Sequence, residues 1–178
     1  MNNENNRVGS FSKVSFDQYH KDIKCIADYL CLTYGNINIP VRATAQSAGY
    51  DFSAPFSFAL KPGESIKIPT GIRCHMEDPS YFLALFPRSS VGIKQNVRLM
   101  NTVGIIDADY YYATNEGHII VALKNTNKKS IFPWVNKKNT WIVHSGDRIC
   151  QGVFMKYGIT ADDDVTVERK GGVGSTGQ

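Results

Sequence analysis

The chain contains no apolar stretch approaching the roughly 20 residues needed to span a bilayer, and its Asn-rich start, Met1 to Lys13, holds no apolar signal core. Neither secretion nor membrane insertion is expected, which leaves a cytoplasmic protein. Cysteine is scarce as well. Cys25, Cys31, Cys74 and Cys150 form no CxxC pair and have no accompanying His cluster, so no zinc framework is indicated; each sits within or beside apolar residues, as a buried reduced thiol would. Charge of one sign is modest. Lys and Arg number 20 against 16 Asp and Glu, a net +4, and no basic run exceeds two apart from loosely clustered lysines between residues 124 and 138. That balance offers little to a nucleic acid and suits a small polyanionic ligand. There is no internal repeat. What is present, 178 residues of which 42% are hydrophobic, suffices for one sizeable core and not for two ordinary domains, so residues 1–178 read as a single domain.

One segment carries helical periodicity. After Ser15, the residues Phe16, Tyr19, Ile23, Ile26, Ala27 and Leu30 recur at steps of three and four, predicting a helix over 14–31 behind a polar tail over 1–13. Ser15 with Gln18 forms a capping box, and Val14 with Tyr19 the hydrophobic staple across it. An apolar stripe of this kind packs on the domain's own core rather than on a partner. From Asn38 onward, short period-two runs broken by Gly, Pro, Asn and Asp indicate antiparallel strands. Ile66 and Ile68 precede a turn at Pro69-Thr70-Gly71, and Ile72, Cys74 and Met76 then alternate again. Tyr81 to Phe86 is apolar on both sides and stops at Pro87, as a strand covered on both faces would. Further strands are predicted at Thr102 to Ile106, Gly117 to Lys124, Thr140 to Val143 and Ile149 to Lys156. The fold class is all-β, a sandwich or jelly roll over 38–156 with one N-terminal α-helix. The stretch Asn125 to Asn139, around the island Ile131-Phe132-Pro133-Trp134, reads as a surface excursion, and 157–178 as a polar arm ending in a flexible Gly-rich flap.

Five blocks carry glycines and polar residues that a strand protein keeps only for a purpose. They are Ala48-Gly49-Tyr50-Asp51, Pro87-Arg88-Ser89-Ser90, Asn101 through Tyr110, Gly146-Asp147-Arg148 through Gln151, and Gly171 through Gly177. Singly, each has an ordinary reading: a turn with a solvated Arg88, a hairpin at Gly146, a mobile tail. The last block lacks the Gly-Lys-Ser/Thr ending of a P-loop and the strand and helix that flank one.

Together and in this order, the blocks resemble those of the trimeric deoxyuridine triphosphatase family, over most of residues 38–177. The run Asp109-Tyr110-Tyr111-Tyr112 leading to Asn115-Glu116-Gly117-His118 is most similar to the branch of Gram-positive bacteria and their phages. The resemblance implies a distorted jelly roll, a homotrimer with shared active sites, and Mg2+-assisted hydrolysis of dUTP to dUMP and pyrophosphate. By the same resemblance Asp107 activates the water that attacks the α phosphorus, provided the carboxylate is ionised and within reach of that water. A hairpin through Asn101 to Gly104 holds uracil by main-chain groups, and Tyr110 lies against the deoxyribose, where its ring leaves no room for a 2'-hydroxyl. Phosphates fall to Arg88, Ser89, Ser90 and Gln151. Asp51 is implied as an outer-shell partner of Mg2+, reached through water while the ion sits on the triphosphate. Asp147 and Arg148 read as structural pairs, with a phosphate contact open to Arg148.

The flap implies backbone donors from Gly172, Val173 and Gly174 and hydroxyls from Ser175 and Thr176 around the γ phosphate. Here the chain departs from the family. Val173 stands where an aromatic is expected to stack on uracil, and the basic pair Arg169-Lys170 is one residue out of step with the family's arginine, so either Arg169 or Lys170 takes the γ phosphate.

Two other readings compete, one a related enzyme, as a deaminase or a fused deaminase-triphosphatase, and one of a different class. A related dCTP deaminase carries a catalytic glutamate in the strand after the third block, and Ala122 occupies that place. A regulatory module on the same scaffold would use the excursion Asn125 to Asn139 to contact a protein partner.

Overall fold

The computed structural model describes residues 7–23, 34–167, 169 and 171. Cys25, Cys31 and the predicted helical positions Ile26, Ala27 and Leu30 lie outside them, as do Lys170, Gly172, Val173, Gly174, Ser175 and Thr176. The described chain is a jelly roll built from twelve strands: β1 Gly9–Lys13, β2 Val41–Arg42, β3 Tyr50–Ser53, β4 Phe58–Leu60, β5 Ser65–Pro69, β6 Ile72–Met76, β7 Tyr81–Pro87, β8 Val97–Leu99, β9 Gly104–Ile106, β10 Ile120–Asn125, β11 Trp141–Val143 and β12 Arg148–Lys156. Helix α1, Phe16–Ile23, precedes β2, and helix α2, Pro133–Lys138, precedes β11. A five-stranded sheet has the order β2-β3-β12-β7-β9, a three-stranded sheet the order β5-β10-β8, and β1-β6 and β11-β4 form pairs.

Strand β7 follows the both-faces reading. Leu83, Ala84 and Leu85 are buried at its centre, between β12 on one edge and β9 on the other. In β6 the alternation predicted for Ile72, Cys74 and Met76 holds, with all three buried and Arg73 and His75 half-exposed between them. The core gathers Phe52, Leu83, Leu85, Ile68, Ile72, Ile119, Leu123 and Ile149, each contributing about 1.5–3 kcal/mol when wholly withdrawn from water. Gly71 turns the chain between β5 and β6 with a φ of +74°, and a Cβ there would come within 2.3 Å of Ile37 Cδ1. Cys74 and Cys150 are buried free thiols; burial pushes Cys74 up to about 12 and Cys150 higher still, so both stay protonated.

Several sequence expectations change. The tail over 1–13 contains β1, which pairs antiparallel with β6 in the register Phe11 to Cys74 and sets the Phe11 ring against Tyr50, Phe52 and Phe154. The excursion contains α2, a second helix, entered by Pro133 and with no buried residue on any face. The strand expected from Thr102 begins at Gly104 because Thr102 turns with a φ of +62°. That from Gly117 begins at Ile120, after the left-handed Glu116 and Gly117. The capping box at Ser15 is half realised: Gln18 N donates to Ser15 Oγ at 3.1 Å, while Ser15 N donates to the distant Glu116 carboxylate at 2.7 Å. No described helix is long and apolar enough to cross a membrane.

Candidate active site

Register within the large sheet brings three of the five blocks together. Gln151 of β12 lies opposite Asp51 of β3 on one side and Phe86 of β7 on the other, so the chain leaving β7 delivers Arg88, Ser89 and Ser90 beside both. A cavity of about 260 Å3 results, lined by Gly49, Asp51, Arg88, Ser89, Ser90 and Gln151 among others. Asp51, only 10% exposed, is held by two guanidiniums: Arg88 Nε lies 2.8 Å from Oδ1 and Arg148 Nη1 lies 3.1 Å from Oδ2. Among the described residues Arg88 is engaged through Nε alone, which leaves its terminal nitrogens for an anion. Gln151 Nε2 donates to Pro87 O at 3.4 Å. Gly49 leaves room for the Gln151 amide: a Cβ there would stand 2.5 Å from Gln151 Oε1 and push that side chain aside. Arg148 is thereby a structural partner of Asp51, and Asp147 accepts the His144 N–H at 2.7 Å across the turn before β12.

The third block builds a separate cavity of about 600 Å3, whose lining includes Asn101, Gly104, Asp107 and Tyr110, with Lys67 and Ala122 facing each other across β5 and β10. The β8–β9 connection is tight, with Val103 N donating to Asn101 O at 2.6 Å. Asp107 enters a 3-10 turn, Ala108–Tyr112, in extended conformation, and its side chain makes no capping bond. The carboxylate is therefore not used to cap the start of the turn. It is 48% exposed, and its Oδ2 accepts Arg169 Nη2 at 2.5 Å while Asp109 Oδ1 accepts Arg169 Nε at 2.8 Å. Arg169 thus reaches back from the C-terminal arm to the same chain's Asp107. Tyr110 is buried; its hydroxyl donates to His118 O at 2.8 Å and accepts from Asn115 Nδ2 at 2.8 Å, and burial raises its pKa, keeping the phenol neutral.

The two cavities share no lining residue. Gly172, Val173, Gly174, Ser175, Thr176 and Lys170 lie outside the described residues. Sequence reasoning missed Lys67, Asp109 and the Arg148–Asp51 pair. Lys67 sat in plain alternation between Ile66 and Ile68, whereas the ion pairs span 60 and 97 positions and leave no local trace.

The dUTPase family model matches residues 35–177. The deoxyuridine 5'-triphosphate nucleotidohydrolase of Lactococcus lactis is 39% identical over 145 residues, spanning 79% of this chain and 89% of that protein. Its counterpart from Tolumonas auensis is 35% identical over 147 residues, with 79% and 87% covered. Among solved structures, the dUTPase of Streptococcus mutans superposes with a TM-score of 0.62 at 31% identity, covering 85% of this chain and 98% of that one. The dUTPase from phage phi11 of S. aureus shares the fold, with a TM-score of 0.59 at 22% identity over 75% of this chain and 92% of that one. A mostly antiparallel jelly roll with these blocks in this order defines a dUTPase-like enzyme scaffold. The chain belongs to the dUTPase family, with relatives above 30% identity in Lactococcus lactis and Streptococcus mutans.

Proposed function

We propose that the chain is a dUTP diphosphatase that splits dUTP into dUMP and pyrophosphate by in-line attack of water on the α phosphorus. The observation that carries the reading is Asp107: a carboxylate relieved of any capping role, beside Tyr110, Asn101 and Gly104 on one cavity wall. In this mechanism Asp107 takes a proton from the attacking water. The β8–β9 connection offers main-chain groups to uracil, and the Tyr110 ring covers the sugar. Arg88, Ser89, Ser90 and Gln151 orient the phosphates and meet the charge that develops on them. Arg169 is paired with Asp107 and Asp109, and a triphosphate competes for it, releasing Asp107 as base while the guanidinium moves to the γ phosphate.

The residues present fit a hard cation carried by the substrate. Asp51 offers carboxylate oxygens in the phosphate cavity, yet each oxygen already has a guanidinium partner, which suits contact through water better than direct ligation. Mg2+ bound there supplies neutralisation of triphosphate charge. Ala122 puts a methyl group where deamination needs a glutamate, which supports hydrolysis over that alternative.

The phosphate-binding and base-bearing cavities are distinct within one chain. That division supports a homotrimer in which a complete site draws one cavity from each of two subunits, with the flap from Gly172 to Thr176 and Lys170 closing it. The chemistry is tested by a single turnover in 18O-water: label appearing in dUMP and not in pyrophosphate is the expected result, and label in pyrophosphate would move the attack to the β phosphorus.

A further inference from the structure

Behind Tyr110 lies a hydrogen-bond network that none of the roles above uses. The loop running from Ala113 to His118 is fastened to α1 at two points. Glu116 accepts both Ser15 N at 2.7 Å and Ser15 Oγ at 2.6 Å, at the N-terminal end of the helix. At the other end the fully buried His118 places Nδ1 2.5 Å from Asp22 Oδ2, an oxygen that also accepts Gln18 Nε2 at 2.7 Å. His118 Nε2 lies 2.8 Å from the main-chain N of Gly71. An amide N–H can only donate, so Nε2 carries the lone pair and the ring proton sits on Nδ1, donated to Asp22. Both nitrogens of the imidazole are thus engaged, and the same residue's carbonyl accepts the Tyr110 hydroxyl. The loop is also pressed against the backbone of Tyr110: Gly117 has a φ of +66°, and a Cβ on it would stand 2.7 Å from Tyr110 O.

We propose that Asp22 and His118 are positioning residues for sugar selection, through which α1 clamps the 113–118 loop and the loop fixes the Tyr110 ring. The proposal rests on the contact between Tyr110 and the deoxyribose proposed above. A ring excludes a 2'-hydroxyl only while it cannot retreat, so precision of the supporting contacts sets how well ribose is refused. The clamp touches neither Asp107 nor the phosphate cavity, and its loss falls on KM and on the preference for dUTP over UTP, with kcat retained.

Asp22→Ala removes the acceptor, whereas Asp22→Asn keeps an amide oxygen for both the His118 and Gln18 donors. Losing one such hydrogen bond changes a binding equilibrium by a factor of about five: Asp22→Ala is expected to raise KM for dUTP about fivefold and cut the dUTP-over-UTP ratio of kcat/KM by a similar factor, and Asp22→Asn to restore both. Glu116→Ala, at the more accessible end of the clamp, changes both in the same direction and serves if Asp22→Ala does not fold. Tyr110→Ala is run beside them. If Tyr110→Ala abolishes the preference while Asp22→Ala and Glu116→Ala keep wild-type KM and selectivity, the clamp is wrong and the sugar contact stands. If Tyr110→Ala leaves the preference intact, the sugar contact is wrong and the clamp falls with it. A fall in kcat without change in KM or selectivity would also overturn the clamp, because it would mark general loss of structure.

Discussion

Gly49 and His118 each sit in close contact with a residue proposed for the site, Gln151 and Tyr110. At Gly49 the closest atom to a would-be Cβ is the Gln151 amide oxygen, at 2.5 Å. A Gly49→Ala chain should fold, displace Gln151 and lose about tenfold in kcat/KM, or ~1.4 kcal/mol of transition-state binding; steady-state hydrolysis checks this, and an unchanged value would remove Gln151 from the phosphate contacts. His118 is a matter of protonation. Burial pushes its pKa below the ordinary imidazole range, against the opposing pull of the Asp22 hydrogen bond and the charges of Asp22 and Glu116. In the unfolded chain the ring titrates near its ordinary value of about 6.5, so on acidification the unfolded state takes up the proton first. The stabilisation is complete above about pH 6.5 and is lost as pH falls towards the folded-state pKa. Urea midpoints should decline from about pH 7.5 to about pH 5 more steeply in the native chain than in His118→Gln. Parallel profiles would refute a neutral buried imidazole.

At the scale of elements, β1 is the least legible strand and one of the more consequential. Phe11 is the lone apolar residue in Gly9–Lys13, so no alternation announces the strand; its existence depends on the edge of β6 and on the ring cluster formed with Tyr50, Phe52 and Phe154. Phe11→Ala should cost about 3 kcal/mol of stability, the lower end for a large aromatic truncation, seen as a lowered denaturation midpoint. Helix α2 was hidden for the opposite reason. It has no buried face, so it produces no periodic core signal, and Ile131, Phe132 and Trp134 remain exposed at 90%, 48% and 68%. None of the three lines either cavity of the site. Ile131→Ser with Trp134→Ser should leave dUTP turnover unchanged; a drop would tie the excursion to catalysis. Strand β7, by contrast, was readable because coverage on both faces demands an unbroken apolar run. The motif residues were legible because their types and order are informative in themselves. Their partners were not, since contacts such as Asp22 to His118 join positions 96 apart and depend on the folded topology.

Because the two cavities share no lining residue, the proposed homotrimer would complete each site from two subunits, and activity would then belong to the assembly. Chains carrying Arg88→Ala keep the base-bearing cavity, and chains carrying Asp107→Asn keep the phosphate cavity. Mixed after dissociation and reassembly, two inactive populations should regain part of the native activity, because some sites then combine intact halves. No recovery in verified mixed assemblies would return both halves to one chain.

Everything proposed for the chemistry turns on Asp107 as the base of a dUTP-specific diphosphatase. Its most direct test is pyrophosphate release from dUTP, dCTP, dTTP and UTP with Mg2+, by the native chain beside Asp107→Asn. Release from dUTP alone, lost by a factor of 100 or more on the order of a general base's contribution, is the predicted result; release that persists in Asp107→Asn, or none from dUTP in the native chain, would contradict it.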